Sequence, residues 1–215
     1  MDIIIRPAKP EDYPSFRRME ERAWAGSGVS VIPEDMFLTW LKIFPDGLRV
    51  AEKNGEICGH GYVQISDFNP SAKKDQRSWN EVTDYGYTTN THNPNSNSVY
   101  VVSFSALGVG KKLHLHFLDL TRKYMKKYLV GACRMPGLIK YAQKKNVKMV
   151  SKSFVTEYAR LVCKTAKEKD KKFFDPVLSV FASANGMRYF DVVKNYFNDR
   201  DSGNWACVLY FKNEF

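Results

Sequence analysis

The chain has 215 residues, 44% hydrophobic and 26% charged. That is enough for one independent core and outside the composition of a chain disordered throughout. No apolar run reaches the roughly 18 residues of a membrane span, and the opening MDIIIRPAKPEDY lacks the basic-then-apolar order of a signal peptide. The four cysteines, Cys58, Cys133, Cys163 and Cys207, include no CxxC pair. A zinc site or a disulfide framework is therefore poorly supported, no metal ligands are assigned, and a reducing cytoplasm fits.

The first elements are a short strand over 2–6, ended by Pro7, and a helix that places Tyr13, Phe16, Met19 and Ala23 on one face. Pro33 opens a second helix with Met36, Phe37, Trp40, Leu41 and Phe44 apolar; Pro45, Asp46 and Gly47 close it. The period then changes to that of strands. GLRVAE and ICGHGYVQIS flank Asn54-Gly55, a strong hairpin signal. Residues 67–98 follow, rich in Asn, Ser, Thr and Asp with Trp79, Tyr85 and Tyr87 embedded. Such a length is unusual for an idle connection and points to a lid or binding loop; protection of a sheet edge is the plainer alternative.

SVYVVSFS, ALGVG and KKLHLHFLDLTRKYMKK then spell strand, glycine turn and helix, the helix burying Val109, Leu113, Phe117, Leu120 and Tyr124. YLVGAC continues as a parallel strand, completing a β-α-β unit. A basic helix carries Phe154, Tyr158, Leu161, Val162 and Thr165 in phase. Asp175-Pro176 caps another, with Val177, Val180, Phe181 and Ala184 apolar and Gly186 stopping it. Strands over 187–193 and 205–211 end the chain, with Tyr196 between them. The order is that of a mixed α/β fold.

Lys and Arg number 33 against 23 Asp and Glu, a formal charge of +10. The excess is concentrated in residues 111–127 and 144–172. A nucleic-acid surface, an anionic cofactor and a solvated helix face all accommodate it; the absence of RNP, KH, zinc-finger or helix-turn-helix patterns argues against nucleic acid.

The glycine turn bears most directly on function. Backbone N–H groups from Leu107 to Lys112 point into a helix N-terminus, Gly108 and Gly110 permit close approach, and Lys111 and Lys112 add charge. A diphosphate fits there. The spacing matches neither the Rossmann G-x-G-x-x-G nor the P-loop.

Ser105-Ala106-Leu107-Gly108-Val109-Gly110 resembles the [Q/R]-x-x-G-x-[G/A] motif of the GCN5-related N-acetyltransferases, with Ser105 in place of Gln or Arg. The resemblance begins at IIIRPAKPEDYPSF and covers most of the chain. WNEVTDYGYTTNTHNPNSNSVY, GACRMPGLIKYA, DPVLSVFASANGM and NYFNDRDSGNWACVLYF look like a branch with an enlarged loop between the third and fourth strands. It implies one domain over 1–215 with an insertion at about 67–98. The fold it implies is a mixed, mostly antiparallel sheet with flanking helices and splayed central strands. It also implies acetyl-CoA as acyl donor, direct attack by a primary amine, and a pyrophosphate over Leu107, Gly108, Val109, Gly110, Lys111 and Lys112. The backbone of Val102, Ser103 and Phe104, with the strand 128–133, would lie beside the thioester. A homodimer is compatible with it.

Acyl transfer needs a deprotonated amine, a polarised carbonyl and a route for the thiolate proton. The family's acid position, four residues before the closing glycine, is Ala182 here, which leaves Tyr196, Tyr141 or water as the donor. His92, in the polar loop, is a candidate base; Glu81 and Asp84 are candidates to bind an amine. Glu20 and Glu21 lead from the first helix toward the site, with a solvated face as their default. His60 fits an interior histidine, and His114 and His116 a solvent-facing or half-buried setting. Arg134 suits a carboxylate, a phosphate or a surface ion pair. The alternative to an enzyme is a non-catalytic module of the same fold that binds CoA or a partner.

Overall fold

The computed structural model describes residues 2–25, 30–71, 77–168, 175–184 and 186–214. The chain forms two compact units, one of Met1–Phe68, Asn80–Leu129 and Asn213–Phe215, the other of Asn69–Trp79 and Val130–Lys212.

In the first unit, β1 (Ile4–Pro7), β2 (Leu48–Lys53), β3 (Glu56–Ser66) and β4 (Ser98–Ala106) lie side by side in that order, each antiparallel to the next. Asn54 and Gly55 both have positive φ, 57° and 79°, the conformation a two-residue hairpin needs to match strand twist. Period-two alternation gives β3 two different faces. His60 and Tyr62 point to α1 (Tyr13–Ala23) and α2 (Glu34–Ile43), where the Phe16 and His60 rings lie 4.4 Å apart and Trp40 stacks on Tyr62 at 4.5 Å. Gly59 and Gly61 point to α4 (Gly110–Lys123).

Those glycines set how closely α4 sits. A Cβ on Gly61 would stand 2.2 Å from Cζ of Phe117, and one on Gly59 would stand 2.7 Å from Cγ2 of Val109. Gly61→Val is expected to lower the unfolding free energy by about 1–3 kcal/mol, the usual cost of overpacking, as read from a urea melt.

α4 buries Leu113, Phe117 and Leu120 as its periodicity requires, but also His114. The expected half-exposed setting of His114 is therefore corrected: burial drives its pKa down to about 4, so the ring is neutral at physiological pH and belongs to the packed face. His116 is half-buried and accepts from Nε of Arg49 at 2.7 Å.

The described part of the long connection belongs to this unit from Asn80 onward and packs on the α2 side of β3. After α3 (Trp79–Thr83), Nε1 of Trp40 donates to the Gly86 carbonyl at 2.7 Å. Nε2 of Gln64 donates to the Val82 carbonyl at 2.7 Å, and Tyr62 and Thr88 share a hydroxyl hydrogen bond of 3.0 Å. Asp84, Tyr85, Gly86 and Thr88 all have positive φ, a tight turn held by these bonds. Since β3 is paired on both sides, this segment covers a sheet face and not an edge.

The second unit holds most of β5 (Tyr128–Arg134) and all of β6 (Arg188–Lys194) and β7 (Trp205–Lys212), in spatial order β5-β7-β6, with β6 and β7 antiparallel. Its helices are α5 (Leu138–Lys144), α6 (Lys152–Thr165) and α7 (Leu178–Ala182). The Ser151 hydroxyl caps α6 by accepting from the Phe154 amide at 3.3 Å; Val155, Tyr158, Ala159 and Val162 are its buried face. The basic run 144–172 extends past the described residues at 169.

Asp175 is fully buried and accepts from four donors: the amides of Val177, Leu178 and Gly137 and the Tyr158 hydroxyl. Burial nevertheless raises its pKa. The capping role expected for Asp175 is thus joined to a tie between α5, α6 and α7. α7 is rotated from the expected face: Leu178, Phe181 and Ala182 are buried, whereas Val177, Val180 and Ala184 are half-exposed. Gly186, φ 81°, follows it. Among the described residues no helix is long and apolar enough to cross a membrane, and no group of three or more His, Cys, Asp or Glu is placed to hold a metal.

Candidate active site

The first unit brings three features together along the last turn of β4. The first is the glycine turn. Pairing with β3 ends at a hydrogen bond from the Leu107 amide to the Cys58 carbonyl, 2.9 Å. Gly108 then takes φ 79°, and a Cβ built there meets nothing within 4 Å. The backbone is therefore open to a ligand at the residue whose conformation requires glycine. Val109 is buried against Ala51 and Leu113 and fixes the turn to the core. α4 starts at Gly110 with no carboxylate in its first turn, and Lys111 and Lys112 are exposed. An open glycine turn, the positive end of a helix and two exposed lysines adjoin one another here, the combination of features that favours an anion.

The second feature is a break in the ladder. Tyr62 pairs with Ser103 and Val63 with Val101, so Val102 is the extra residue of a β-bulge. A bulge turns main-chain N–H and C=O groups out of their pairing, here at Val102, the first residue of the segment Val102, Ser103 and Phe104 expected beside the thioester. Ser103 and Phe104 remain paired with Tyr62 and Gly61. The Phe104 ring meets Phe117 edge-on at 6.1 Å, so this side chain faces α4.

The third feature was expected at the surface and is not. Glu20 is 1% exposed and His60 is 0% exposed. Oε1 of Glu20 lies 2.8 Å from Nε2 of His60 and accepts from Nε1 of Trp24 at 3.0 Å. The same indole N–H reaches Oγ of Ser105 at 2.9 Å, and the Ser105 hydroxyl hydrogen-bonds the carboxylate in turn. Burial alone would raise the Glu20 pKa. The His60 ring and the hydrogen bonds from His60, Ser105 and Trp24 outweigh it and hold the carboxyl below its ordinary 4.5. The solvated face expected for Glu20 is corrected on this ground: a carboxylate with three donors is satisfied inside the core. Glu21 is exposed and pairs with Arg17 at 3.0 Å. Ser105, at the Gln/Arg position of the motif, spends its hydroxyl inward.

The remaining candidates lie elsewhere. Nδ1 of His92 accepts from the Ile65 amide at 3.1 Å, and its ring packs on Phe44 at 5.0 Å. The proton is therefore on Nε2, and the only ring lone pair is engaged; burial and then Lys126 lower the pKa. Asp84 accepts from the backbone and side chain of Asn90, and Glu81 is exposed on α3. In the second unit Tyr196 is 4% exposed and its carbonyl accepts from the Trp79 amide. Arg134 is not a surface pair; its guanidinium makes two bonds, 2.7 and 2.6 Å, to the buried Asp199. The His60 partnership was missed in the sequence, although two signals carry it: a histidine between two glycines in a strand, and Glu20 four residues before Trp24 on one helix.

No family model matches the chain. It is 32% identical over 188 residues to an uncharacterized N-acetyltransferase of Bacillus subtilis (strain 168), YkwB, covering 85% of this chain and 75% of that one. It is 25% identical over 218 residues to a probable hydrolase of the same organism, YhcX, a match that spans 98% of this chain but 39% of that protein. Among solved structures it superposes on the GphF GNAT-like decarboxylase in complex with isobutyryl-CoA, TM-score 0.67 at 17% identity, covering 97% and 98% of the two chains. The extent of the YkwB match and the shared fold agree with the glycine turn and the bulged fourth strand, and the chain belongs to the GCN5-related N-acetyltransferase family, which uses acyl-CoA as donor.

Proposed function

We propose that the chain moves an acetyl group from acetyl-CoA to a primary amine by direct attack on the thioester, as one catalytic domain in the cytoplasm. The open Gly108 turn between the β4 bulge and the α4 N-terminus is the observation that carries this reading. In it, the amides of Gly108 to Lys111 take the pyrophosphate, those of Leu107 and Lys112 being bonded to the Cys58 and Val109 carbonyls, and the two lysines add charge. The Val102–Phe104 backbone polarises the thioester carbonyl as negative charge builds on its oxygen. The acceptor is a small molecule or an exposed amine of a peptide.

We assign no side-chain base among His92 and Glu20. The His92 lone pair is held by the Ile65 amide, and Glu20 is ionised but sealed in the core. The attacking amine arrives neutral from solvent, and the thiolate, of pKa near ~8.5, leaves with little help; where a proton is needed, water supplies it, since Tyr196 is buried. The rate of acetyl transfer, followed by free-thiol release, should rise with pH toward the acceptor's own pKa. His92→Gln should leave the shape of that profile unchanged. A profile inflecting near neutrality that disappears in His92→Gln would return His92 to the role of base.

Isothermal titration tests the cofactor arm. CoA should bind at least about tenfold more tightly than pantetheine, which lacks the phosphates, because each charge-assisted hydrogen bond contributes about 1.5–3 kcal/mol. Equal affinities would remove the turn as the anchor.

A further inference from the structure

We infer that Trp24 and Ser105 are positioning residues that brace the phosphate turn from within, through the buried Glu20–His60 pair. The inference rests on the reading of Leu107 to Lys112 as the cofactor turn. Where the family motif carries a long Gln or Arg, this chain has Ser105, buried and three residues before Gly108. Its hydroxyl is bonded to the Trp24 indole and the Glu20 carboxylate. Trp24 is the residue that caps the C-terminal end of α1, its own amide bonded to the Glu20 carbonyl at 2.9 Å. His60 faces Ser105 directly in the β3–β4 register.

Four side chains from α1, its cap, β3 and β4 are thus joined around one carboxylate, in an environment where each bond is strengthened by low dielectric. The consequence is mechanical. Support that the motif usually draws from a side chain reaching outward is supplied here from below, by locking the backbone of Ser105 to the end of α1. The Ser105 side chain does not contact the phosphates; it fixes the direction in which the next N–H groups point. α1 and the cofactor turn then move together, so that a change at the end of α1 is felt as a change in donor affinity.

Two conservative variants test this. Trp24→Phe keeps a ring and removes the donor; Ser105→Ala removes the hydroxyl. Each is expected to weaken CoA binding about five- to tenfold and to raise KM for acetyl-CoA with kcat little changed. The double variant should be no worse than the weaker single one, because both remove the same link. Amide hydrogen exchange supplies a readout that needs no ligand: Leu107, protected by the Cys58 carbonyl, should exchange at least about tenfold faster in either variant, while Val50 in the β2–β3 ladder keeps the parent rate. Faster exchange at Leu107 in a protein whose parent does not bind CoA would retain the brace and sink the cofactor reading. Parent-like exchange at Leu107 in both variants would overturn the brace, as would equal acceleration at Leu107 and Val50, which marks general loosening.

Discussion

Replacing Gly108 by valine is expected to reduce CoA affinity by about 10- to 100-fold while leaving a folded protein. The expectation follows from conformation and not from crowding. Gly108 has φ 79° and open space around the missing Cβ, so a β-branched side chain fits but the backbone beneath it is strained by about 1–3 kcal/mol. Relief comes from rotating to negative φ, and that rotation re-aims the amides that receive the pyrophosphate. The hairpin turn offers a matched control. Gly55 has the same φ, 79°, and the same empty surroundings, but no proposed ligand. Gly55→Val should show a comparable fall in unfolding free energy with CoA affinity unchanged. Titration calorimetry and urea melts on the two variants separate backbone strain from ligand geometry; equal affinities in the two would show that the turn is not the anchor.

The second large effect concerns His60. His60→Leu is expected to destabilise the protein by about 3–5 kcal/mol, because it leaves the Glu20 carboxylate buried without its principal partner. Glu20→Gln should cost less, since the amide keeps an acceptor for the Trp24 indole. The pH dependence has a definite sign. The folded-state pKa of Glu20 lies below 4.5, so its ionised form contributes stability above that pH, and the contribution is lost as pH falls through the depressed value. Parent and His60→Leu melts should therefore differ most near neutrality and converge in acid. A difference that grows on acidification would contradict the assignment.

What was legible in the sequence was local and periodic. The Asn54-Gly55 hairpin, the strand-turn-helix around Gly108 and the Asp175 cap each depend on a few adjacent residues with narrow conformational preferences, and each appears where it was expected. α5 was not resolved, since seven residues after Pro136-Gly137 give periodicity too little length to register. The face of α7 was misjudged for the same reason: five helical residues complete little more than one turn, so a rotation by one position exchanges Val180 for Leu178 and Ala182. In the candidate site, the glycine turn and the fourth strand were readable because a few adjacent residues fix their backbone geometry. Glu20, His60, Trp24 and Ser105 were not, because a buried polar cluster depends on partners far apart in sequence. Viewed alone, a glutamate in the charge-rich run 17–22 of a helix is indistinguishable from a solvated one. His92 failed differently: the lone pair that made it a candidate base is spent on a backbone amide 27 residues away.

The unequal connections on the two sides of β3 also dictate an order of assembly. β2 and β3 are joined by two residues in a preformed turn, whereas β3 and β4 are separated by the whole connection 67–97. Closing the longer loop costs about 2 kcal/mol more in chain entropy, and that cost falls before any of the β3–β4 hydrogen bonds is made. β4 therefore docks late, after Trp40, Tyr62 and Thr88 have gathered the connection against β3. The glycine turn at the end of β4 is completed only once β4 has docked. On the proposed binding of CoA to this turn, the ligand acts on that step by slowing the detachment of β4, and the half-life of the folded protein is expected to lengthen with CoA concentration.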